Sequence, residues 1–249
     1  DNPQLSVPSI TSATYNASTA ALVVTGTDLS ATVGASNDIV ANKFTFTGEG
    51  GATYTLTDST DVEITSGTAF TVTLSSTDKA AINQIVNKNG AISTGGTTYN
   101  LAMADDWDTN VTTGDTSDAS GNGITASNVA APAITSSTYN ASTGALVVTG
   151  TGLLKSSGAA NDIDASKFTF TGEGGATYTL TDSADVEIAS GTAFTVTLSS
   201  TDKAAVNQIV NKNGTASTDA TTYNLAAAED WAAGANAAVN VADTTGNGI

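Results

Sequence analysis

Apolar and polar residues alternate along most of this chain. Ala21-Leu22-Val23-Val24-Thr25-Gly26 reads as a short strand stopped by a glycine turn. Lys43-Phe44-Thr45-Phe46-Thr47 alternates with period two, which puts Phe44 and Phe46 on one face. Glu49-Gly50-Gly51 predicts a turn, and Ala52-Thr53-Tyr54-Thr55-Leu56 the returning strand of a hairpin. Asp61-Val62-Glu63-Ile64 and Ala69-Phe70-Thr71-Val72-Thr73-Leu74 predict two more strands about Ser66-Gly67, and Thr97-Thr98-Tyr99-Asn100-Leu101 another. β-branched and aromatic residues fill all of them, as a half-buried pleated surface prefers. One segment changes period. In residues 78–89, Ala81, Ile82, Ile85 and Val86 recur at helical spacing. Ser76 or Thr77 suits the N-cap, Asp78 the positive end and Gly90 the stop, so one short helix is expected across an end of the sheets.

The whole pattern then recurs. Pro8 to Trp107 aligns without a gap on Pro132 to Trp231, an offset of 124 residues. Phe44 to Ser76 returns as Phe168 to Ser200 with two changes, Thr60 to Ala184 and Thr65 to Ala189. A second copy of this length builds a second domain. The copies diverge after Trp107, and copy two gains one residue before the shared Gly-Asn-Gly-Ile, which marks an exposed loop. Ala130-Ala131-Pro132 is a short linker, so end-to-end domains with limited freedom are expected. The boundaries are 1–130 and 131–249. Many short strands with turn signals between them, and one helix per copy, predict an all-β chain of two antiparallel β-sandwiches.

Composition narrows the class. At 39% apolar residues, the chain can bury a core in each copy. There are 24 acidic residues against seven lysines, with no arginine or histidine, for a formal charge of −17. That field repels nucleic acid and anionic membrane and attracts divalent cations. The acids are scattered, so a disordered acidic tail is not expected. Cysteine is absent, which removes disulfides, thiolate metal sites and cysteine nucleophiles. No apolar run is long enough to span a membrane as a helix, so no membrane insertion is expected. Asp1 does not open a signal peptide, so the chain reads as a mature or excised piece.

Each copy opens with Pro-x-Ile-Thr-Ser-x-Thr-Tyr-Asn-Ala-Ser-Thr, continues with Leu-Val-Val-Thr-Gly-Thr, and closes with Asp-x-x-Gly-Asn-Gly-Ile from Asp118 and from Asp243. Over nearly its whole length the chain resembles the tandem bacterial immunoglobulin-like repeats of large secreted surface proteins and adhesins. The resemblance implies two immunoglobulin-like sandwiches and an extracellular place on the bacterial surface. The helix departs from a minimal sandwich of that kind.

Catalytic chemistry is poorly supplied. Without His or Cys, Ser-His and Cys-His arrangements cannot form. Asp105-Asp106-Trp107-Asp108 is the densest acidic cluster, but copy two reads Ala228-Glu229-Asp230-Trp231-Ala232 there. No enzymatic activity is expected, and Trp107 and Trp231 read as core or loop-anchoring residues before sugar platforms. Calcium is the sharper expectation, because Asp and Asn in tight turns supply the oxygens a hard cation wants. Candidate ligands are Asn37 and Asp38, with Asp162 and Asp164 in copy two. Asp105 and Asp106 form a second set, matched by Glu229 and Asp230. Asp118 and Asn122 form a third, matched by Asp243 and Asn247. The last motif alternates like half of a calcium loop but lacks the terminal Glu, and Asp-x-x-Gly-Asn is also a plain turn.

The function that follows is a non-enzymatic extracellular spacer or adhesive scaffold, rigidified by Ca2+, with a cell-surface glycan or protein as partner. A self-assembling surface-layer or filament subunit is the second reading, and a carbohydrate-binding module using Trp107 and Trp231 the third. In copy one, Gly123 to Val129 reads as a final strand before the linker, whereas copy two stops at Ile249. The segment Asn2–Val7 precedes Pro8 as that strand precedes Pro132. It is the candidate to complete the second domain of another copy by head-to-tail strand addition.

Overall fold

A computed structural model describes residues 7–111 and 114–249. The chain divides into two compact units, Asp1–Ala130 and Ala131–Ile249. It is mostly β-sheet, with one α-helix in each unit among the described residues.

In unit 1, β1 (Ser9–Asn16), β2 (Ala21–Thr27), β5 (Ile64–Ser66), β6 (Ala69–Thr73) and β8 (Ile124–Ser127) form one sheet in the order β5-β6-β2-β1-β8. Its neighbours are antiparallel except β1 and β8, which run parallel. β3 (Phe44–Thr47), β4 (Thr53–Thr55) and β7 (Asn100–Met103) form a second, antiparallel sheet in the order β4-β3-β7. The sheets face each other through aromatic rings. Tyr15 on β1 meets Phe46 on β3 at 5.7 Å, and Phe44 on β3 meets Phe70 on β6 at 5.8 Å and Trp107 at 5.9 Å. All five rings are fully buried. Such edge contacts add to the burial of apolar area that holds the layers together.

Unit 2 repeats the arrangement. β9 (Ala133–Asn140), β10 (Ala145–Thr151), β13 (Ile188–Ser190) and β14 (Ala193–Thr197) form one sheet, ordered β13-β14-β10-β9. β11 (Phe168–Thr171), β12 (Thr177–Thr179) and β15 (Asn224–Ala227) form the other, ordered β12-β11-β15. Phe168 meets Phe194 at 5.8 Å and Trp231 at 5.9 Å, as in unit 1. Among the described residues no counterpart of β8 stands beside β9.

Several expectations shift. The helix α1 spans Ser76–Ile85, and its cap is Ser75, whose Oγ accepts the Asp78 N–H at 3.0 Å. It stops at Ile85, short of Asn89. Asn87 is buried and leaves the helix to donate its side-chain amide to Glu49. Gly90 is then free to pair with Ala126 instead of ending the helix. β5 starts only at Ile64, because Asp61 turns inward to accept the Ala41 N–H at 2.8 Å. β7 lies a few residues later than the alternation predicts. β1 escaped the pattern altogether. A bulge between Ile10 and Ser12 breaks its period, so Ile10, Ala13 and Tyr15 all face the core. In unit 2, α2 (Ser200–Ile209) has the same cap, from Ser199.

Candidate functional site

Most carboxylates proposed as metal ligands are turned on backbone N–H groups. Asp38 is fully buried; Oδ1 accepts from Thr32 N–H and Oδ2 from Ile64 N–H at 3.0 Å. Asp162 does the same with Ser156 and Ile188. These bonds tie the loop before the first three-residue helical turn to the start of β5 in unit 1 and of β13 in unit 2. Asp105 gathers Thr116 N–H at 2.8 Å, Thr116 Oγ1 at 2.9 Å and Asp106 N–H at 3.0 Å. The Thr116 N–H and hydroxyl hold its carboxyl below the usual range. Glu229 takes over that role in unit 2, accepting from Val241 and Ala242. Asp106 and Asp230 are exposed residues in left-handed backbone, φ 63° and 62°. Asp164 caps the turn at Ala165 through Ser166.

The closing motif is a turn whose buried member is the asparagine. Asn122 and Asn247 are 2% and 3% exposed. Asn247 Nδ2 donates to Leu225 O at 3.1 Å and to Asp243 Oδ1 at 2.9 Å. Asp243 Oδ2 in turn accepts the Ile134 N–H at 3.1 Å. Asp118 pairs through its backbone with Met103. The three candidate sets thus lie on separate turns. Among the described residues no three His, Cys, Asp or Glu side chains gather so as to hold a metal ion.

One corner is different. Asn37 N–H donates to Glu63 Oε1 at 2.9 Å, and Thr109 N–H donates to Asp38 O at 2.9 Å. This pairing brings Asp108, which is fully buried, alongside the Asp38 segment. Asn37 Oδ1 and Asp108 Oδ2 are buried without a hydrogen-bond partner. Burial, opposed by the Asn110 and Ser30 N–H groups, and the nearby Asp38 charge push the Asp108 carboxyl up. Unit 2 has Ala232 in that position, while Asn161 Oδ1 is again unpartnered.

Trp107 and Trp231 are fully buried, and their indole N–H groups donate to Thr116 O at 2.7 Å and Val241 O at 2.6 Å. Neither offers a ring face for stacking on a sugar, so the carbohydrate-module reading loses the residues it rested on.

The largest polar centre was not among the sequence candidates. Asp78, fully buried at the first turn of α1, accepts from Tyr54 Oη at 2.9 Å, Thr57 N–H at 3.0 Å and Thr57 Oγ1 at 2.9 Å. It also accepts from Asp58 N–H at 3.3 Å, Ser59 N–H at 2.9 Å and Ser59 Oγ at 2.5 Å. Burial raises its pKa, but the Ser59, Thr57 and Tyr54 bonds outweigh that and hold it well below the usual range. Asp202 repeats the same contacts with Tyr178, Thr181, Asp182 and Ser183. The sequence signal was the Thr-Asp-Ser triplet recurring unchanged at 57–59 and 181–183, an unusual run of donors just past a strand.

No protein-family model matches the chain, and no curated protein matches it.

Proposed function

We propose that the chain is a non-enzymatic structural protein: two tandem immunoglobulin-like units serving as a spacer or scaffold on a bacterial surface. The observation that carries this is the internal duplication of a closed core. Phe44, Phe70 and Trp107 in unit 1, and Phe168, Phe194 and Trp231 in unit 2, build the same cluster without borrowing from one another. In single-molecule stretching, a spacer gives two unfolding steps of similar contour length, and the chain stays monomeric at high concentration. A single cooperative step overturns the reading. Concentration-dependent polymers support the second reading, a surface-layer or filament subunit.

Calcium rigidification belongs to the same proposal. The corner of Asn37, Asp38 and Asp108 supplies two carboxylates and an amide oxygen, two of them with unpartnered atoms. A cation bound only to the folded state raises stability by mass action. Chelator then lowers the melting temperature of unit 1 and added calcium restores it. A melt indifferent to both removes calcium from the proposal.

A further inference from the structure

Identical residues along one edge differ in exposure between the units. Tyr15, Ala17, Ile85, Val86 and Asn87 are buried, while Tyr139, Ala141, Ile209, Val210 and Asn211 are half-buried or exposed. The difference is β8. It lies parallel to β1, with Ala13 to Asn16 matched to Ile124 to Ser127. Ala17 N–H donates to Ser127 O at 2.9 Å, and Ala126 exchanges two bonds of 2.8 Å with Gly90. Val129 N–H donates to Asn89 Oδ1 at 2.9 Å, and its side chain packs on the core.

Unit 2 follows the same path as far as Ile249. Ser137 N–H donates to Gly248 O at 3.0 Å, as Ala13 N–H does to Gly123 O at 2.9 Å. Ile249 packs on the core in the place of Ile124. Past it, β9 is a sheet edge beside a groove of about 720 Å³, lined by Tyr139, Ala141, Val210, Asn213, Gly214 and Ile249 among others. Among the described residues, Ala141 N–H, Gly214 N–H and the Asn213 side chain lack the bonds that Ala17, Gly90 and Asn89 make in unit 1.

We propose that this groove is an acceptor for one parallel β-strand of the β8 type, Thr-Ala-Ser-Asn-Val, entering where Ile249 lies. The inference goes beyond the spacer reading and does not depend on it. An open edge supplies unpaired backbone groups for strand addition, and side-chain slots supply selectivity. The slots are legible in unit 1. Ala126 is 3% exposed between the backbones of β1 and Gly90, so its slot takes a small apolar residue. Thr125 and Ser127 face outward, and Val129 covers the far end. The segment Asn2–Val7 of a second copy fits these slots less well. Residues 1–6 lie outside those described, but the repeat offset sets Asn2 in the slot of Ala126 and Pro3 at Ser127. A polar side chain there would be buried, and proline cannot donate to a ladder. The occupant assigned is therefore a strand of a further repeat copy, not the N-terminal segment.

The test is amide hydrogen exchange on the full chain and on the chain extended past Ile249 by Thr-Ala-Ser-Asn-Val-Ala. An extension with Asp in the alanine slot is the control. The extension is expected to slow exchange at Ala141 and Gly214 by more than about tenfold, toward that of Ala17 and Gly90, and to leave unit 1 unchanged. Unchanged exchange at both, or equal slowing by the Asp control, overturns the proposal. Slow exchange there in the unextended chain, rising with concentration and lost on deletion of residues 1–7, also overturns it. That result gives the groove to the N-terminal segment of a second copy.

Discussion

Asp78 stands at a helix start, yet its carboxylate serves a loop some 20 residues earlier in the chain. Six hydrogen bonds converge on it from Tyr54, Thr57, Asp58 and Ser59. Removing the charge leaves several part-buried donors poorly matched, at a combined cost of about 3 kcal/mol. Asp78→Asn is expected to destabilise unit 1 by at least about 3 kcal/mol in denaturant melts, with unit 2 as the internal reference. Because the folded pKa is lowered, the stability it contributes is complete above the ordinary carboxylate pKa. It is lost as pH falls through the folded value. Wild-type melting temperature should therefore drop below about pH 4, and the variant should show a shallower drop. Asp108 is the opposite case. Its raised pKa means the folded state disfavours the charged form, so it weakens unit 1 at neutral pH. Asp108→Asn keeps an acceptor for the Asn110 N–H and removes the charge, and in chelator it should stabilise unit 1 by about 1 kcal/mol. With calcium present, the same variant should lose the cation-induced rise in melting temperature.

The ends of the elements are set by contacts that local propensity does not contain. α1 stops at Ile85 because the chain must turn there to bring Asn87 to Glu49 and the Lys88 backbone to Tyr99 Oη. Gly48 sits against that stop. A Cβ at Gly48 would run into the Ile85 carbonyl oxygen and lie 2.8 Å from the Ile85 carbonyl carbon. Gly172 meets Ile209 in the same way. Gly48→Ala should thus cost about 1–3 kcal/mol through displaced backbone, and the circular dichroism of α1 should fray while unit 2 is unaffected. The alternative, an equal loss for Ala at an exposed glycine such as Gly123, with open space around it, would show that chain entropy and not contact dominates.

At the scale of the molecule, two nearly identical sequences differ in what covers one sheet edge. Unit 1 encloses Tyr15, Ile85 and Val86 under β8, and unit 2 leaves their counterparts partly open. Unit 2 should melt below unit 1 by more than about 1 kcal/mol when the two are expressed separately, since apolar area and ladder bonds are both missing. Equal stabilities would mean that the edge of β9 costs nothing. The amino-acid sequence alone determined the duplication, the hairpin of Phe44–Thr47 with Thr53–Thr55, the helix and the enclosed aromatic core. Period, turn residues and a fixed offset are local or linear signals, and they survive without coordinates. The acids were legible as residue types but not as partners. Asp78 and Asp105 are matched by donors 11 to 24 residues away, and only tertiary packing chooses those. Tertiary structure likewise decided that β8 runs parallel to β1 and that each indole N–H meets a carbonyl on a later turn. A strand's direction, and whether it has a neighbour, depend on how distant segments close over one core. No window of the sequence holds that information.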